Sequence, residues 1–210
     1  MQPTNHGKSF NYDARPPAGM TSTEAFLVSV SSISVAEIGD RTQLLSLVLS
    51  ARYRRPLPIL AGILCATLAN HAAAGLIGNL FGDLVRPRTL QIAVGVSMIG
   101  MALWTLKPDT LDEGAVRASA ANAFVATLTS FFVAEMGDKT QIATVALAAA
   151  YPSLLAVVAG TTLGMLVANA PVVVLGRAFA DRLPLKAIHY AASLLFLVLG
   201  VVFLARVLLP

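Results

Sequence analysis

The residues best suited to chemistry in this chain occur in two copies of one motif. The first copy reads AEIGDRTQ over residues 36–43, and the second reads AEMGDKTQ over residues 134–141, 98 positions later. Each copy lies in the middle of a long apolar run, and an ionisable side chain inside a membrane span is a functional-site hypothesis by default. The candidate cation-binding and metal-ligating residues are therefore the four carboxylates of the two copies: Glu37, Asp40, Glu135 and Asp138.

Basic and polar side chains accompany these carboxylates. On a continuous helix Glu37, Asp40 and Arg41 fall at positions i, i+3 and i+4 and share one face, with the following threonine turned away. This spacing predicts an ion pair within each copy, from Glu37 to Arg41 and from Glu135 to Lys139. Antiparallel packing of the two motif helices would bring both charged faces together. The supporting polar and basic residues are Arg41, Thr42, Gln43, Lys139, Thr140, Gln141, Asn70 and Asn169.

The net charge of the two copies indicates what the site could bind. A charge near the bilayer centre costs about 2.5–3.5 kcal/mol on insertion scales, so six such groups cost roughly 15–20 kcal/mol before any pairing. Four acids against two bases leave two negative charges. One divalent cation neutralises these charges, and so do two protons. A site with two mutually exclusive neutral states suits a cation/proton exchanger.

The donor atoms that the sequence offers are mainly oxygens. They belong to the four carboxylates, to side-chain amides, and to carbonyl groups freed where Gly39 or Gly137 loosens its helix. Oxygen ligands suit Mn²⁺, Ca²⁺ and Mg²⁺ rather than Zn²⁺ or Cu⁺, and the sequence does not separate manganese from calcium. His71 has no counterpart in the second half, where Ala170 stands, and is interpreted as a packing or proton-relay residue. The metal is a transported substrate, and no resident cofactor is expected.

The segments that must hold these residues are apolar enough to cross a membrane. The 210 residues are 56% hydrophobic and 12% charged, whereas a soluble domain carries about 25% charged residues. The formal charge of +4 does not indicate a nucleic-acid partner, because the basic residues stand at the ends of apolar runs, where interfacial charges belong. A single cysteine, Cys65, excludes an internal disulfide. We therefore expect an integral protein of the lipid bilayer.

Six apolar runs are long enough to cross about 30 Å of hydrocarbon as helices. The runs are too long for barrel strands and do not alternate in polarity, so the predicted class is an all-α membrane protein with six transmembrane helices. Because each half carries an odd number of spans, the two halves should be inverted three-helix repeats. The runs cover approximately residues 23–50, 57–80, 90–106, 121–150, 154–180 and 187–209.

The remaining segments complete the predicted organisation. Residues 1–22 are interpreted as a mobile tail, since they lack the apolar core of a signal peptide. The first repeat covers residues 23–106, a cytosolic linker covers 107–120, and the second repeat covers 121–210. The flanks of one face carry five Lys and Arg residues against eight on the other, so the positive-inside rule puts both termini outside the cytoplasm. Such a small bundle could also form a homodimer.

Other functions fit the sequence less well. The motif charges could be buried ion pairs that lock two helices together, but a duplicated set with net negative charge exceeds what a lock requires. An exporter of a basic amino acid or another organic cation is the main alternative, although it has little use for four clustered carboxylates. A scaffold protein would be expected to carry sizeable soluble loops. An enzyme is not expected, because only His71 of three histidines lies well inside an apolar run.

The doubled Glu-x-Gly-Asp-(Lys/Arg)-Thr motif, on the first and fourth of six runs, resembles that of uncharacterised protein family 0016, the relatives of Golgi transmembrane protein 165. The resemblance covers nearly all of the chain after the N-terminal tail. It implies a secondary transporter that exports Mn²⁺, and in some members Ca²⁺, in exchange for protons. It also carries the cation-binding role to the four motif carboxylates. The short linker, unlike the longer acidic loop of eukaryotic members, resembles that of a bacterial protein of the plasma (inner) membrane.

Overall fold

The structure is a computed structural model that describes residues 21–85, 87–107, 122–176 and 184–208. All regular secondary structure in these ranges is helical, which confirms the predicted all-α class. We number the helices in chain order: α1 (Ser22–Glu37), α2 (Arg41–Tyr53), α3 (Pro56–Leu84), α4 (Pro87–Thr105), α5 (Ala123–Glu135), α6 (Lys139–Ala150), α7 (Leu154–Leu175) and α8 (Leu185–Leu208).

Three helices in the described ranges are long and apolar enough to cross a membrane by themselves, namely α3, α7 and α8. The first predicted span is divided into α1 and α2, and the fourth is divided into α5 and α6. The third predicted span corresponds to α4, which has 19 residues. The arrangement as six spans in two inverted repeats stays a prediction.

The two breaks fall inside the two motif copies, so the prediction of continuous motif helices is wrong. After α1 and after α5 the backbone becomes extended and then passes through a glycine with positive φ, +83° at Gly39 and +74° at Gly137. Such angles suit glycine because it has no Cβ. An aspartate then caps the next helix: the side chains of Asp40 and Asp138 accept a hydrogen bond from the backbone N–H two residues later.

Close packing between the halves depends on glycines at matching positions. A Cβ atom added at Gly62 of α3 would lie 2.8 Å from Cβ of Thr127 on α5. One added at Gly160 of α7 would lie 2.7 Å from Cβ of Ser29 on α1. Glycine thus lets these backbones approach closely, as small residues do in membrane bundles. Each half therefore packs its long helix against the motif helix of the other half.

The order of contacts along the helices gives their relative directions. On α3, Gly62 meets Thr127 and the later Asn70 donates to Phe132, so α3 and α5 run parallel. By the same criterion α7 runs parallel to α1, since Gly160 meets Ser29 and the later Gly164 meets Ile33 of α1. Tyr151, the residue that follows α6, lies next to Glu24 at the start of α1, so the end of the α5–α6 unit meets the beginning of the α1–α2 unit. The α1–α2 and α5–α6 units are thus antiparallel.

Two predicted segments lie mainly outside the described residues. Only the last two residues of the predicted tail, positions 21 and 22, are described. In the predicted linker only the first position, Lys107, is described. The predicted side of the membrane for each terminus stays a prediction.

Candidate functional site

The first motif copy folds around its glutamate. Glu37 is the last residue of α1, Asp40 caps α2, and both side chains are buried. The Thr42 hydroxyl donates a hydrogen bond to Glu37 Oε2 at 2.5 Å. Thr42 therefore turns towards the carboxylates, whereas a continuous helix would have turned it away. The break in the helix reverses this part of the prediction.

The second copy repeats this local geometry. Glu135 ends α5 and Asp138 caps α6. The Thr140 hydroxyl lies 3.3 Å from Glu135 Oε2 and 3.3 Å from Asp138 Oδ2. The same residue types at the same spacing thus place a glutamate and a threonine side by side in both copies.

A glutamine closes each break. The Gly39 N–H donates to Gln43 Oε1 at 2.8 Å, and the Gly137 N–H donates to Gln141 Oε1 at 2.8 Å. These bonds pair backbone groups that a continuous helix would have paired. The two amides therefore support the backbone of the site, and Gln43 also donates to the carbonyl of Ala168 on α7 at 3.0 Å.

The basic side chains connect the two copies. Arg41 Nη2 lies 2.9 Å from Asp138 Oδ1, and the Lys139 ammonium pairs with the carboxylate of Asp40. The predicted pair between Glu37 and Arg41 is therefore wrong, and Lys139 also reaches across rather than pairing within its own copy alone. The breaks explain this change of partners, because each aspartate now stands at a helix start that faces the other copy. Removing Arg41 or Lys139 from one copy would consequently leave an aspartate of the other copy without this ion pair.

Three carboxylates converge. Oxygen atoms of Glu37, Glu135 and Asp138 lie within 4.8 Å of one another, and all three residues are buried. This spacing matches that of oxygen atoms around one hard cation, where each ligand lies about 2.0–2.6 Å from the ion. Asp40 is buried beside this group but is paired with Lys139. The structure thus brings three predicted ligands together and holds the fourth in an ion pair next to them.

Two oxygens of this group lack hydrogen-bond partners among the described residues. They are Oε1 of Glu37 and Oε1 of Glu135, both inaccessible to solvent. A buried polar group without a partner costs about 1–3 kcal/mol, and a charged one more. The donor set and its unsatisfied oxygens therefore fit a bound cation or proton.

The two asparagines of the prediction lie at helix contacts near the site. Asn70 donates to the carbonyl of Phe132 on α5 at 3.0 Å. Asn169 accepts a hydrogen bond from Ser46 on α2 at 2.7 Å and donates to the carbonyl of Met165 at 3.1 Å. In the structure both act as links between helices.

The structure adds neighbours that the motif did not indicate. His71 on α3 is buried, with Nε2 4.0 Å from Glu135 Oε2. A Cβ atom added at Gly39 would lie 2.9 Å from Nε2 of His189 on α8. Periodicity could not have found these contacts, because they depend on how distant helices pack. Only the position of His71 beside Asn70 inside an apolar run was a sequence signal for it.

Residues 25–113 and 123–208 match the family model described as "Divalent cation/proton antiporter GDT1". The chain belongs to this family. Membership of the GDT1 family confirms the predicted family and supports a cation exchanger. An antiporter moves ions across a membrane and is not an enzyme in the catalytic sense, and the apolar helices agree with an integral membrane protein.

Relatives in the GDT1 family come from bacteria and plants. A Vibrio cholerae protein named "Putative manganese exporter" is 49% identical over 174 residues, which are 82% of this chain and 86% of that protein. A GDT1-like protein of Synechocystis is 30% identical over 198 residues, 85% of this chain and 95% of the relative. The "GDT1-like protein 4" of Oryza sativa is 26% identical over 206 residues, 86% of this chain and 73% of the relative. No solved structure matches the chain.

Proposed function

We propose that this protein exports divalent cations, Mn²⁺ above all and also Ca²⁺, across the membrane in exchange for protons. The observation that carries the proposal is the buried convergence of Glu37, Glu135 and Asp138. The family description supports the exchange of a divalent cation for protons. The name of the Vibrio cholerae relative supports manganese. The transported ion is a substrate, and the protein needs no resident cofactor for this function.

The ion pairs identify which charges are left for the substrate. Arg41 and Lys139 are paired with the two aspartates of the motif. Glu37 and Glu135 each accept a hydrogen bond from a threonine, and neither forms an ion pair with a lysine or arginine in the part of the chain that the structure describes. Two unmatched carboxylates need either one divalent cation or two protons. The two negative charges counted from the sequence are thus assigned to Glu37 and Glu135.

The exchange then follows from competition for these two glutamates. A divalent cation that enters the site displaces one proton from each, and two protons that enter release the cation. In both loaded forms the site carries no net charge. An empty and ionised site is costly to bury away from water, so the protein changes conformation readily only when it is loaded. Coupling between cation and proton movement is the consequence.

The helix directions support the inverted arrangement that such a cycle uses. The motif units α1–α2 and α5–α6 are antiparallel, and each is packed against a parallel long helix of the other half. Broken helices at a repeat interface form the substrate sites of many transporters. The proposal includes a bacterial inner-membrane location with both termini outside the cytoplasm, from the distribution of Lys and Arg.

Transport by proteoliposomes tests this function. With an imposed pH gradient, the unsubstituted protein should accumulate Mn²⁺, and Ca²⁺ more slowly. Glu37→Gln and Glu135→Gln should each lower the initial rate by about 100-fold or more, because interactions of an ionised ligand that are lost are worth about 3 kcal/mol or more. Glu24→Gln is the matched control, since Glu24 lies at the far end of α1 beside Arg206.

Two results would contradict the proposal. A rate of Mn²⁺ transport that is independent of any imposed pH gradient would show that the cation is not exchanged for protons. Competition by lysine or arginine, with no effect of Mn²⁺, would instead favour an exporter of basic amino acids or other organic cations. In that case the three converging carboxylates would bind an organic ammonium or guanidinium group.

A further inference from the structure

His71 is an unusual residue in the wall of the site. Its side chain is fully buried, and neither ring nitrogen has a hydrogen-bond partner among the described residues. Nε2 lies 4.0 Å from Glu135 Oε2, too far for a hydrogen bond. A buried imidazole that merely packed would leave two polar atoms unsatisfied at a cost of about 1–3 kcal/mol each.

The distance between these two atoms suits two ligands of one ion. Nitrogen and oxygen ligands lie about 2.0–2.6 Å from a divalent cation, so two ligands of the same ion can be up to roughly 4–5 Å apart. Glu135 is already one of the three converging carboxylates. The ring nitrogen of His71 is therefore close enough to Glu135 to share an ion with it, although it is not one of the atoms that converge within 4.8 Å.

The packing of α3 holds His71 at this height. The neighbouring Asn70 donates to the carbonyl of Phe132, three residues before Glu135 on α5. This hydrogen bond ties α3 to the end of α5, where the second break begins. The corresponding residue of the other repeat is Ala170, which offers no ligand. The two halves thus supply similar carboxylates but only one imidazole.

We propose that His71 is the residue that makes the site prefer Mn²⁺ to Ca²⁺ and Mg²⁺, by giving the transported ion a nitrogen ligand. Transition metals accept imidazole, whereas Ca²⁺ and Mg²⁺ select oxygen ligands. This inference rests on the proposed function, because it assigns an ion preference to the same site. His71 then acts on the affinity for the ion, and the glutamates provide the charge.

The test is pulsed electron paramagnetic resonance of Mn²⁺ bound to the purified full-length protein. A directly coordinated imidazole gives ¹⁴N coupling to the bound Mn²⁺. We expect this coupling in the unsubstituted protein and its loss in His71→Ala, which copies the residue of the second repeat. His189→Ala is the control, because His189 packs against Gly39 but is not among the converging ligand atoms, so its removal should leave the coupling intact.

Binding titrations provide the second readout. His71→Ala should weaken Mn²⁺ binding by about tenfold or more and leave Ca²⁺ binding unchanged within a factor of about two, since oxygen ligands carry the Ca²⁺ interaction. Retained Ca²⁺ binding also shows that the variant is folded. If His71→Ala disturbs folding, His71→Gln keeps a polar side chain of similar length and should lower the Mn²⁺ to Ca²⁺ affinity ratio in the same direction.

The outcomes separate this inference from the proposed function. Mn²⁺ that binds the unsubstituted protein without ¹⁴N coupling overturns the role of His71 and leaves the carboxylate site standing. An unchanged affinity ratio in both His71 variants does the same. A failure of the unsubstituted protein to bind any Mn²⁺ or Ca²⁺ overturns the proposed function together with the inference.

Discussion

The two motif copies are nearly identical on the side that faces the site and different on the side that faces away from it. In both copies a glutamine accepts the glycine N–H at 2.8 Å, and an aspartate caps the following helix. Behind the first break, however, α8 covers Gly39 through Leu185 and His189. Behind the second break, none of the described residues has an atom within 4 Å of a Cβ atom added at Gly137.

The residues that face the site are alike in the two copies, as binding of one ion between them requires, whereas the packing behind the two breaks differs. Similar sequences produce similar local geometry, so each copy places its glutamate at the end of one helix beside a threonine hydroxyl. The neighbouring helices are not identical, so one break is covered and the other is open. Gly137 in the second break is exposed, whereas its counterpart Gly39 in the first break is buried. In transporters built from inverted repeats, such an asymmetric form is paired with a second one in which the two halves exchange roles, and the proposed function predicts a second form of this kind here.

The ion pairs offer the strongest test of this comparison. Lys139 is almost fully buried beside Asp40, whereas a third of the Arg41 side chain is exposed beside Asp138. Lys139→Met should lower the free energy of unfolding in detergent by about 3–5 kcal/mol, because it removes the cation from a buried pair. Arg41→Met should lower it by less, about 1–3 kcal/mol, because water screens the partly exposed Arg41 side chain, although Asp138 is left buried without this cation. Equal losses would show that the two pairs are equivalently buried.

The breaks themselves provide the second test. Gly39→Ala and Gly137→Ala should each cost about 1–2 kcal/mol in unfolding free energy, because both glycines have positive φ. Gly39→Ala should cost more, since its new Cβ would meet His189. Adding His189→Ala should recover part of this difference, since Leu185 also lies 3.0 Å from the new Cβ atom. If Gly137→Ala lowers the unfolding free energy more than Gly39→Ala does, the second break is packed more tightly than the first and the comparison is wrong.

The glutamines give the smallest expected difference. Gln43 accepts from Gly39 and also donates to Ala168, whereas Gln141 makes only the first type of bond within the described residues. Gln43→Ala should therefore destabilise the protein by about 1 kcal/mol more than Gln141→Ala, the net contribution of one hydrogen bond. Thermal unfolding of the two variants measured together checks this difference. A larger loss of stability for Gln141→Ala than for Gln43→Ala would contradict this expectation.

The sequence predicted the chemistry of the site better than its geometry. The repeated octapeptide indicated all four carboxylates and their net charge, because residue types can be read directly. It also allowed Gly39 to loosen its helix, but not the full break that turns Thr42 towards Glu37. Glycine followed by aspartate is a stop and start signal for helices, which a long apolar run had obscured. The pairing of Lys139 with Asp40 could not be predicted, since it depends on the packing of distant segments.

Proton release on Mn²⁺ binding tests most directly the claim that Glu37 and Glu135 hold either one divalent cation or two protons. The measurement uses purified protein in weak buffer at a series of starting pH values. At the pH of largest release the unsubstituted protein and Glu24→Gln should lose about two protons per bound Mn²⁺, because metal ligands bind in their deprotonated form. Glu37→Gln and Glu135→Gln should each release about one at saturating Mn²⁺. Binding without proton release from the unsubstituted protein, at any starting pH, would contradict the account.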